Sequence, residues 1–359
     1  SSSRIILMNS CFSSIKKLDS LLVDCERFHF DIDLFKNGIS VSNFSLRCQT
    51  DINTFIFSNC DSFNEINLES DSSIILSPRS FENTKKLISI ILKANSIIIK
   101  EDCFINCQSF KYFKIHESNF VTIENFIFYK CDDLQNVYIA INSNLQIIKK
   151  SFYGSINLSS VTLIGNDITI EEESFQKFKK ILALKIKAVN VEIRKNAFYG
   201  CEKLESVNIN DFRARNQLLF DFHSQNVIIE ENSFSKCSSL SSFSIIEAEN
   251  VTLNNGVFLG CCNLVNVSIC SEFKIDICSD CFKNLNKLSS VYFSSKEISL
   301  GQECLQNCSS LRFLTLDNAN HIIIEKNVFA GDLNLHLDSV KYNDGAEIDD
   351  TSYELDKLL

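Results

Sequence analysis

The chain has 359 residues, of which 45% are apolar, and a formal net charge of −10 at pH 7. The apolar content supports a large core and argues against global disorder. The acidic balance, without any long basic run, argues against nucleic acid as a partner, because such binding depends on Lys and Arg contacts to phosphate. No apolar stretch reaches about 18 residues, so we expect no membrane span in this chain.

The N-terminal segment, "SSSRIILMNS", does not resemble a secretory signal peptide. Its apolar run is short, and no small-residue cleavage site follows it. The only methionine is Met8, so a chain that begins at Ser1 is compatible with a fragment or a processed form. A preceding targeting segment is therefore left open.

A repeat anchored on phenylalanine runs through most of the chain. The copies follow one another at spacings of 22 to 24 residues, apart from one spacing of 36. The fourteen anchors are Phe12, Phe35, Phe57, Phe81, Phe104, Phe128, Phe152, Phe175, Phe198, Phe234, Phe258, Phe282, Leu305 and Phe329. The unit reads I-x-I-x4-F-x2-C-x2-L-x2-V-x-I, and self-similarity at a fixed period predicts a repeat architecture.

Each part of the unit predicts a local structure. V-x-I has period 2 and predicts a short strand with both apolar side chains on one face, and I-x-I predicts a second extended segment. F-x-x-C-x-x-L is spaced by three, which suits a helical turn. The second residue after the anchor is Gly in four copies and Asn in six, which predicts a tight turn with left-handed backbone.

No single copy can bury its apolar face, so we expect the copies to stack into a repeat solenoid. Fourteen coils spaced by about 4.8 Å would form a curved rod of roughly 65 Å lined by a parallel sheet. We assign the solenoid to residues 1–340, with an insertion loop at about residues 211–226 where the spacing rises to 36. Residues 341–359 lose the repeat and form an acidic tail or cap.

The clearest copy, "AFYGCEKLESVNI" at residues 197–209, resembles the BspA-like or treponemal-type leucine-rich repeat. That family has an A-F-x-x-C-x-x-L-x-x-I-x-I core, and the resemblance covers about residues 5–337. It implies a right-handed leucine-rich-repeat coil of about fourteen 22–24-residue units. The parallel β-sheet would lie on the concave face, with short extended or helical turns elsewhere.

The resemblance also implies a function, since the family is rich in surface proteins of bacteria and protists linked to adhesion and protein binding. It brings no catalytic residues. The chain departs from the family pattern in keeping the alanine only at Ala197 and in having a single proline, Pro78.

Eleven of the sixteen cysteines fall on two positions of the repeat. Seven stand three residues after an anchor: Cys60, Cys107, Cys131, Cys201, Cys237, Cys261 and Cys308. Four stand directly before one: Cys11, Cys103, Cys281 and Cys304. Other copies fill these positions with small or apolar residues, so we interpret the cysteines as buried free thiols that act as small hydrophobes.

The sequence leaves two alternatives for the cysteines. Cys278 and Cys281 form a C-x-x-C pair near Cys261, Cys262 and Cys270, but no second pair follows at zinc-finger spacing, so we expect no metal. Stacked cysteines such as Cys281 and Cys304 could come close enough for a disulfide. A core of free thiols would favour a reducing compartment or an anaerobic environment.

The sequence contains no motif of a known active site. Nucleophile elbows, zinc-protease helices, Walker loops and dinucleotide-binding glycine motifs are absent, and the five histidines are not paired at ligand spacing. We therefore expect no enzyme, no cofactor and no metal.

Two surfaces are candidates for binding a protein partner. The first is the outward side of the concave strands, where aromatic and cationic residues typical of interface hot spots occur: Tyr112, Lys114, His116, Tyr138, Lys185 and Lys187. The second is the insertion, which combines aromatic residues with arginines: Phe212, Arg213, Arg215, Phe220 and Phe222. Ordinary surface scatter and a folded-back loop are the respective alternatives.

The sequence thus favours a non-enzymatic protein-binding or adhesion module, of the kind found among surface antigens. The alternative is an intracellular scaffold that joins a larger assembly end to end through its terminal coils. The family resemblance indicates the cell surface, whereas the free-thiol core and the absence of a signal peptide indicate the cytoplasm.

Overall fold

The computed structural model describes residues 4–8, 11, 16–30, 40–53, 57–148, 151–152, 154–210, 224–332, 334–350 and 355. The chain divides into two compact units, Ser1–Asn166 and Asp167–Leu359. The regular structure is almost entirely β-strand, joined by turns. The predicted repeat solenoid with a parallel sheet is confirmed.

The strands of the first unit recur about once or twice in each repeat. They are β1 (Arg4–Leu7), β2 (Lys17–Cys25), β3 (Arg27–Phe30), β4 (Ser40–Cys48), β5 (Ile52–Asn53), β6 (Glu65–Leu76), β7 (Ser89–Ile99), β8 (Tyr112–Ser118), β9 (Phe120–Ile123), β10 (Asn136–Ile141), β11 (Leu145–Ile147) and β12 (Ser160–Ile164). In β6 and β7, the V-x-I and I-x-I segments fuse into one continuous strand.

The second unit has the same alternation. Its strands are β13 (Asp167–Ile170), β14 (Ala183–Lys187), β15 (Asn190–Ile193), β16 (Ser206–Ile209), β17 (Ser224–Ile229), β18 (Ser242–Leu253), β19 (Asn266–Ile277), β20 (Ser290–Ser294), β21 (Glu297–Leu300), β22 (Phe313–Asp317), β23 (His321–Ile324), β24 (Val340–Tyr342) and β25 (Glu347–Asp349). A short 3-10 helix, Leu337–Ser339, precedes β24.

Two parallel strand lines run through each unit. In the first line, V-x-I segments pair with one another, as where Val137 of β10 lies opposite Val161 of β12. In the second line, I-x-I segments pair in the same way, as where Ile298 of β21 lies opposite Ile322 of β23. The apolar residues of each coil therefore stay in register with those of the next and point into a shared core.

The anchor rings form a stack inside each unit. From Phe57 to Phe152 and from Phe175 to Phe282, successive ring centroids are 4.9–5.9 Å apart, with interplanar angles of 5–18°. Leu305 and Phe329 are buried at the same position. The predicted anchors Phe12 and Phe35 lie outside the described residues.

The segment from two residues before each anchor to six after it, here called the turn segment, is not helical. Its hydrogen bonds within a coil are single turns, as from Cys107 N–H to the Phe104 carbonyl at 3.3 Å. Other N–H groups bond across coils, as from Phe104 to the Ile127 carbonyl at 2.9 Å. A helix would need those donors within its own coil, so stacking replaces helical hydrogen bonding.

Left-handed backbone occurs twice in the turn segment. The predicted position, two residues after the anchor, has positive φ, as at Asn83 and Gly200. The position two residues before the anchor also does, as at Asp102 and Glu173. Sequence reasoning missed this second position because some coils have Asn or Gly there, whereas others have Arg, Asp, Glu or Phe. The hydrogen bonds between coils offset the strain of those residues.

The cysteine position after the anchor has a more specific role than predicted. The Cys201 thiol donates to the Phe175 carbonyl of the preceding coil at 3.0 Å, and the Cys107 thiol donates to Phe81 at 2.9 Å. The Thr84 hydroxyl makes the same bond at 3.0 Å. Burial raises the pKa of the Cys201 thiol, which keeps its proton available. Cys and Thr therefore share this position as donors as well as small side chains.

Burial of these cysteines is otherwise as predicted. All seven residues after an anchor are buried, as are three of the four before one, whereas Cys11 is exposed. All sixteen cysteines, each of which the structure describes, are free thiols.

The large insertion does not interrupt the stack of coils. β16 ends at Ile209, β17 begins at Ser224, and residues 211–223 lie outside the described residues. Across the insertion, Val207 still pairs with Phe243 in the first strand line, and Val191 pairs with Val227 in the second. The longer spacing is therefore absorbed between strands without a change of register.

Both strand lines continue past residue 340. β24 pairs with β22 through Leu314 and Val340, and β25 pairs with β23 through Ile322 and Ile348. The last coil also contains an unusual buried carboxyl, Asp332, at the position that cysteine occupies elsewhere. Its Oδ1 accepts the Cys308 N–H at 2.6 Å, and its Oδ2 is buried without a hydrogen-bond partner.

The anchor stack predicts graded effects of substitution. Phe198→Ala should lower the free energy of unfolding by about 3–5 kcal/mol, since it leaves a cavity between two stacked rings. Phe198→Leu should cost only about 1 kcal/mol, because leucine already serves as the anchor at position 305. Urea unfolding monitored by circular dichroism would measure both, with the exposed Phe313→Ala as a control that changes little.

Asp332 predicts a pH dependence of stability. Burial raises its pKa to about 8, so the folded chain holds a proton there that the unfolded chain loses at lower pH. The contribution of Asp332 to the free energy of unfolding is therefore highest in acid, below the ordinary pKa of 3.8. It falls as the pH rises from there to about 8, the pKa of Asp332 in the folded chain. Asp332→Asn should be more stable than wild type at pH 9 by about 1–3 kcal/mol, with the difference vanishing near pH 4. Unfolding at a series of pH values tests this.

The exposed Asp338→Asn is the matched control for that experiment. It removes one carboxylate from the same coil without a buried site, so its unfolding curves should follow those of wild type. An equal gain of stability at high pH in both variants would contradict a specific role of burial at position 332.

Candidate functional site

The strand face is defined here as the outward positions of the first strand line. In the first unit it contains four of the predicted binding residues. Tyr112, Lys114 and His116 alternate along β8, and Tyr138 of β10 lies opposite Lys114 in the parallel register. Their side chains point outward because Phe113 and Ile115, between them, are buried.

These four residues are here called the tyrosine cluster, in which Lys114 and His116 lie beside the Tyr138 ring. Lys114 Nζ lies 5.1 Å from the centroid of the Tyr138 ring, a cation–π distance. The His116 ring centroid lies 5.6 Å from the same ring, at an interplanar angle of 52°. Tyr112 is 45% exposed and is the first residue of β8. The cluster therefore presents aromatic surface together with a held cation.

Titration properties of the cluster follow from its partial burial. Burial lowers the pKa of His116, the nearby Lys114 and Lys93 ammonium groups lower it further, and Glu117 partly opposes them. Burial raises the pKa of Tyr138, and Glu117 adds to that shift. His116 is thus mainly neutral at pH 7, and Lys114 is the cation that the cluster offers.

A row of alternating charges borders the cluster. Along the parallel register, the facing charged residues are Asp24, Arg47, Glu69 and Lys93, and Lys93 in turn faces His116 of the cluster. Lys93 Nζ lies 3.7 Å from a Glu69 carboxylate oxygen and 3.4 Å from one of Glu117. These exposed pairs contribute little stability, but they neutralise each other and leave Lys114 as the distinct charge.

The strand face also has an apolar side that sequence reasoning missed. Ile91 of β7 lies opposite Lys114, and about a third of its surface is exposed (36%). It lines a shallow depression of about 180 Å³ that also includes Leu22, which is well exposed on β2. The signal was present in the sequence, since both residues occupy outward positions of their repeat units.

Lys185 and Lys187, the other strand-face residues predicted to bind, lie on β14 of the second unit. Lys185 is exposed and stands opposite Asn208 of β16, and Lys187 is half-buried. Asn208, the residue opposite Lys185, accepts a hydrogen bond at its side-chain oxygen from the Ser244 hydroxyl at 3.0 Å. The two lysines are not part of the tyrosine cluster.

The remaining predicted binding residues belong to the insertion. Phe212, Arg213, Arg215, Phe220 and Phe222 lie outside the described residues.

The cysteines near Cys278 are possible metal ligands by residue type. Within the described part of the chain, no three or more His, Cys, Asp or Glu side chains are grouped to hold a metal ion. The Cys281 thiol instead donates to the Asn254 carbonyl at 3.0 Å.

The stacked parallel coils define the chain as a β-solenoid repeat protein. The family model described as "BspA type Leucine rich repeat region (6 copies)" matches residues 29–159, 121–222 and 206–336. The chain belongs to this family of BspA-type leucine-rich-repeat proteins, as the repeat at residues 197–209 indicated. No curated protein matches the chain.

Several solved structures resemble the chain at low identity. A leucine-rich cell surface protein from Faecalibacterium prausnitzii is 15% identical over 82% of this chain and 89% of its own, with a TM-score of 0.29. A leucine-rich-repeat protein from Eubacterium ventriosum is 14% identical over 76% and 83%, with a TM-score of 0.34. One from Bacteroides ovatus is 15% identical over 77% of each chain, with a TM-score of 0.25.

Among the residues that the structure describes, no helix combines the length and the apolar character needed to cross a membrane.

The tyrosine cluster predicts how His116 titrates. Its midpoint should lie below the ordinary value of 6.5. Lys114→Gln should raise the midpoint by removing a repulsive charge, and Glu117→Gln should lower it by removing a favourable one. NMR of the histidine ring signals against pH measures all three. Lys85→Gln, an exposed lysine in a turn segment, is the control, and a reversed order of the two variants would contradict this geometry.

Proposed function

We propose that this chain is a non-enzymatic protein-interaction module used in adhesion at a cell surface. Its binding surface is the strand face of the first unit, with the tyrosine cluster at its centre. Lys185 and Lys187 of the second unit, and the 211–226 insertion, are proposed as separate contact regions. Membership of the BspA-type family supports this proposal, and so does the chemistry of the cluster.

The observation that carries the proposal is the tyrosine cluster itself. Tyrosines that combine a partly packed ring with an exposed edge are common interface hot spots, because they add contact area with little loss of side-chain entropy. Lys114 is already held over the Tyr138 ring at 5.1 Å, so less ordering is needed on binding. Ile91 and Tyr112 add apolar area beside this held charge.

The insertion is proposed as a second contact region. It follows β16, a strand of the first line, and precedes β17 in the sequence. Residues 212–222 contain arginines and phenylalanines, which are residue types enriched in protein interfaces. Since neighbouring coils pair in register across the insertion, deleting residues 212–223 should leave the stack intact.

The strand-face proposal predicts the result of a comparative binding experiment. The wild-type chain and a Tyr112→Ala/Tyr138→Ala variant would be used in parallel to capture proteins from cell-surface extracts. Binding of each purified candidate would then be measured by surface plasmon resonance. The double variant should bind at least about tenfold more weakly, since each hot-spot tyrosine contributes roughly 1–2 kcal/mol.

Tyr342→Ala is the matched control, because Tyr342 is an exposed strand tyrosine of the second unit. It should leave affinity unchanged. Equal affinity of the wild type and the double variant would overturn the assignment of the binding surface. The deletion of residues 212–223, measured with the same partner, reports separately on the insertion.

The second candidate function is a structural scaffold joined through the terminal coils. It is favoured by β24 and β25, which carry both strand lines to residue 349, since another chain can extend a parallel sheet at its edge strands. Sedimentation at increasing concentration distinguishes the two functions. Progressive assembly into long species would favour the scaffold, and a constant sedimentation coefficient would favour the adhesion module.

A further inference from the structure

A positively charged notch lies in the turn segments of the second unit, outside the surfaces discussed so far. It has a volume of about 320 Å³ and is lined by Lys177, Lys179, Tyr199, Gly200, Glu202 and Lys236. The three lysines outnumber the glutamate, so the notch carries two excess positive charges in a chain whose net charge is −10. Such a local reversal of charge attracts anions.

The notch exists because glycine stands between two lysines of neighbouring coils. Lys177, Gly200 and Lys236 all occupy the position two residues after an anchor, with φ of +60°, +70° and +60°. A Cβ at Gly200 would lie 3.4 Å from Lys177 Cγ. The missing side chain therefore opens a gap whose two walls are lysines.

Elsewhere in the second unit the same position differs. Two neighbouring coils carry Asn284 and Asn307 there, and the Asn307 side-chain amide donates to the Asn284 side-chain oxygen at 2.9 Å. Within this unit, glycine stands between two lysines only at residues 177, 200 and 236. The notch is thus a feature of these three coils and not of every coil.

The backbone holds the notch in place. Lys177 N–H donates to the Tyr199 carbonyl at 2.8 Å, and Gly200 N–H donates to the Ser235 carbonyl at 2.9 Å. Lys236 Nζ lies 5.1 Å from the centroid of the Tyr199 ring, which positions its charge at the rim. A ligand would therefore meet a largely preformed site.

We propose that this notch binds an acidic sugar residue, a pyranose that bears a carboxylate. The lysines would pair with the carboxylate. The ring hydroxyls need an acceptor, and the Glu202 carboxylate, which accepts but does not donate, provides one. Tyr199 offers the side of its ring to the apolar face of the sugar. A ligand with phosphate or sulfate groups alone would meet repulsion from Glu202 without this compensation.

The proposal goes beyond the protein-binding function, and its residues do not overlap with the tyrosine cluster. It is tested by calorimetric titration of the whole chain with galacturonate oligosaccharides, at salt concentrations of about 20 and about 150 mM. Neutral galactose oligosaccharides and a polyglutamate peptide are the comparison ligands. The expected result is binding of the acidic sugar only, weakened by salt.

Variants locate the site. Lys177→Gln and Lys236→Gln should each weaken binding by about three- to fivefold, the range expected for one exposed ion pair. Gly200→Asn should abolish binding because it fills the notch, while asparagine tolerates positive φ and so preserves the fold. An unchanged unfolding midpoint of this variant would show that the loss is not due to misfolding.

Lys326→Gln, which removes an exposed lysine elsewhere in the second unit, is the matched control and should bind as wild type does. Three results would each overturn the proposal: no binding by the wild-type chain, equal binding of polyglutamate, or an equal loss in the Lys326 variant. Equal binding of polyglutamate would indicate an acidic protein segment as the ligand instead.

Discussion

The structure depends on one constraint, namely that each coil must advance by the spacing between paired parallel strands. That spacing is about 4.8 Å, and the stacked anchor rings of each unit have centroid separations of 4.9–5.9 Å. Nearly parallel rings at this distance are in offset contact. An anchor phenylalanine, replaced by leucine at position 305, therefore fills the core at the interval that the backbone imposes, and the ring stack and the strand lines stabilise one another.

The same constraint explains the turn segments. Because each coil has neighbours at strand spacing, the N–H groups of its turns bond to those neighbours, as from Lys236 to the Leu259 carbonyl at 2.8 Å. This geometry requires left-handed backbone on both sides of the anchor. It also places the donor of Cys201 against the carbonyl of Phe175. Thiols and hydroxyls that donate such hydrogen bonds therefore help to hold neighbouring coils together.

Function is then left to the positions that the stack does not use. Inward residues are fixed by the core, whereas outward residues of the strands differ from coil to coil, as do the residues two positions before and after each anchor. The tyrosine cluster arises where Tyr138 follows Lys114 in register, and the charged notch arises where glycine separates two lysines. Both are local departures from the repeat, and each is built from residues of at least two coils.

The sequence by itself determined the repeat, the core positions and the two strand segments of each coil, because a period of 22–24 residues with invariant apolar positions allows few other folds. It also indicated Tyr112, Lys114, His116 and Tyr138 as outward residues. Only the tertiary structure decided that Ile91, Lys93 and Glu117 surround them and that Lys177 faces Lys236 across Gly200. Apart from Glu117, which directly follows His116, these neighbours belong to different coils. They come together through the register of stacked coils, which side-chain patterns within one coil do not specify.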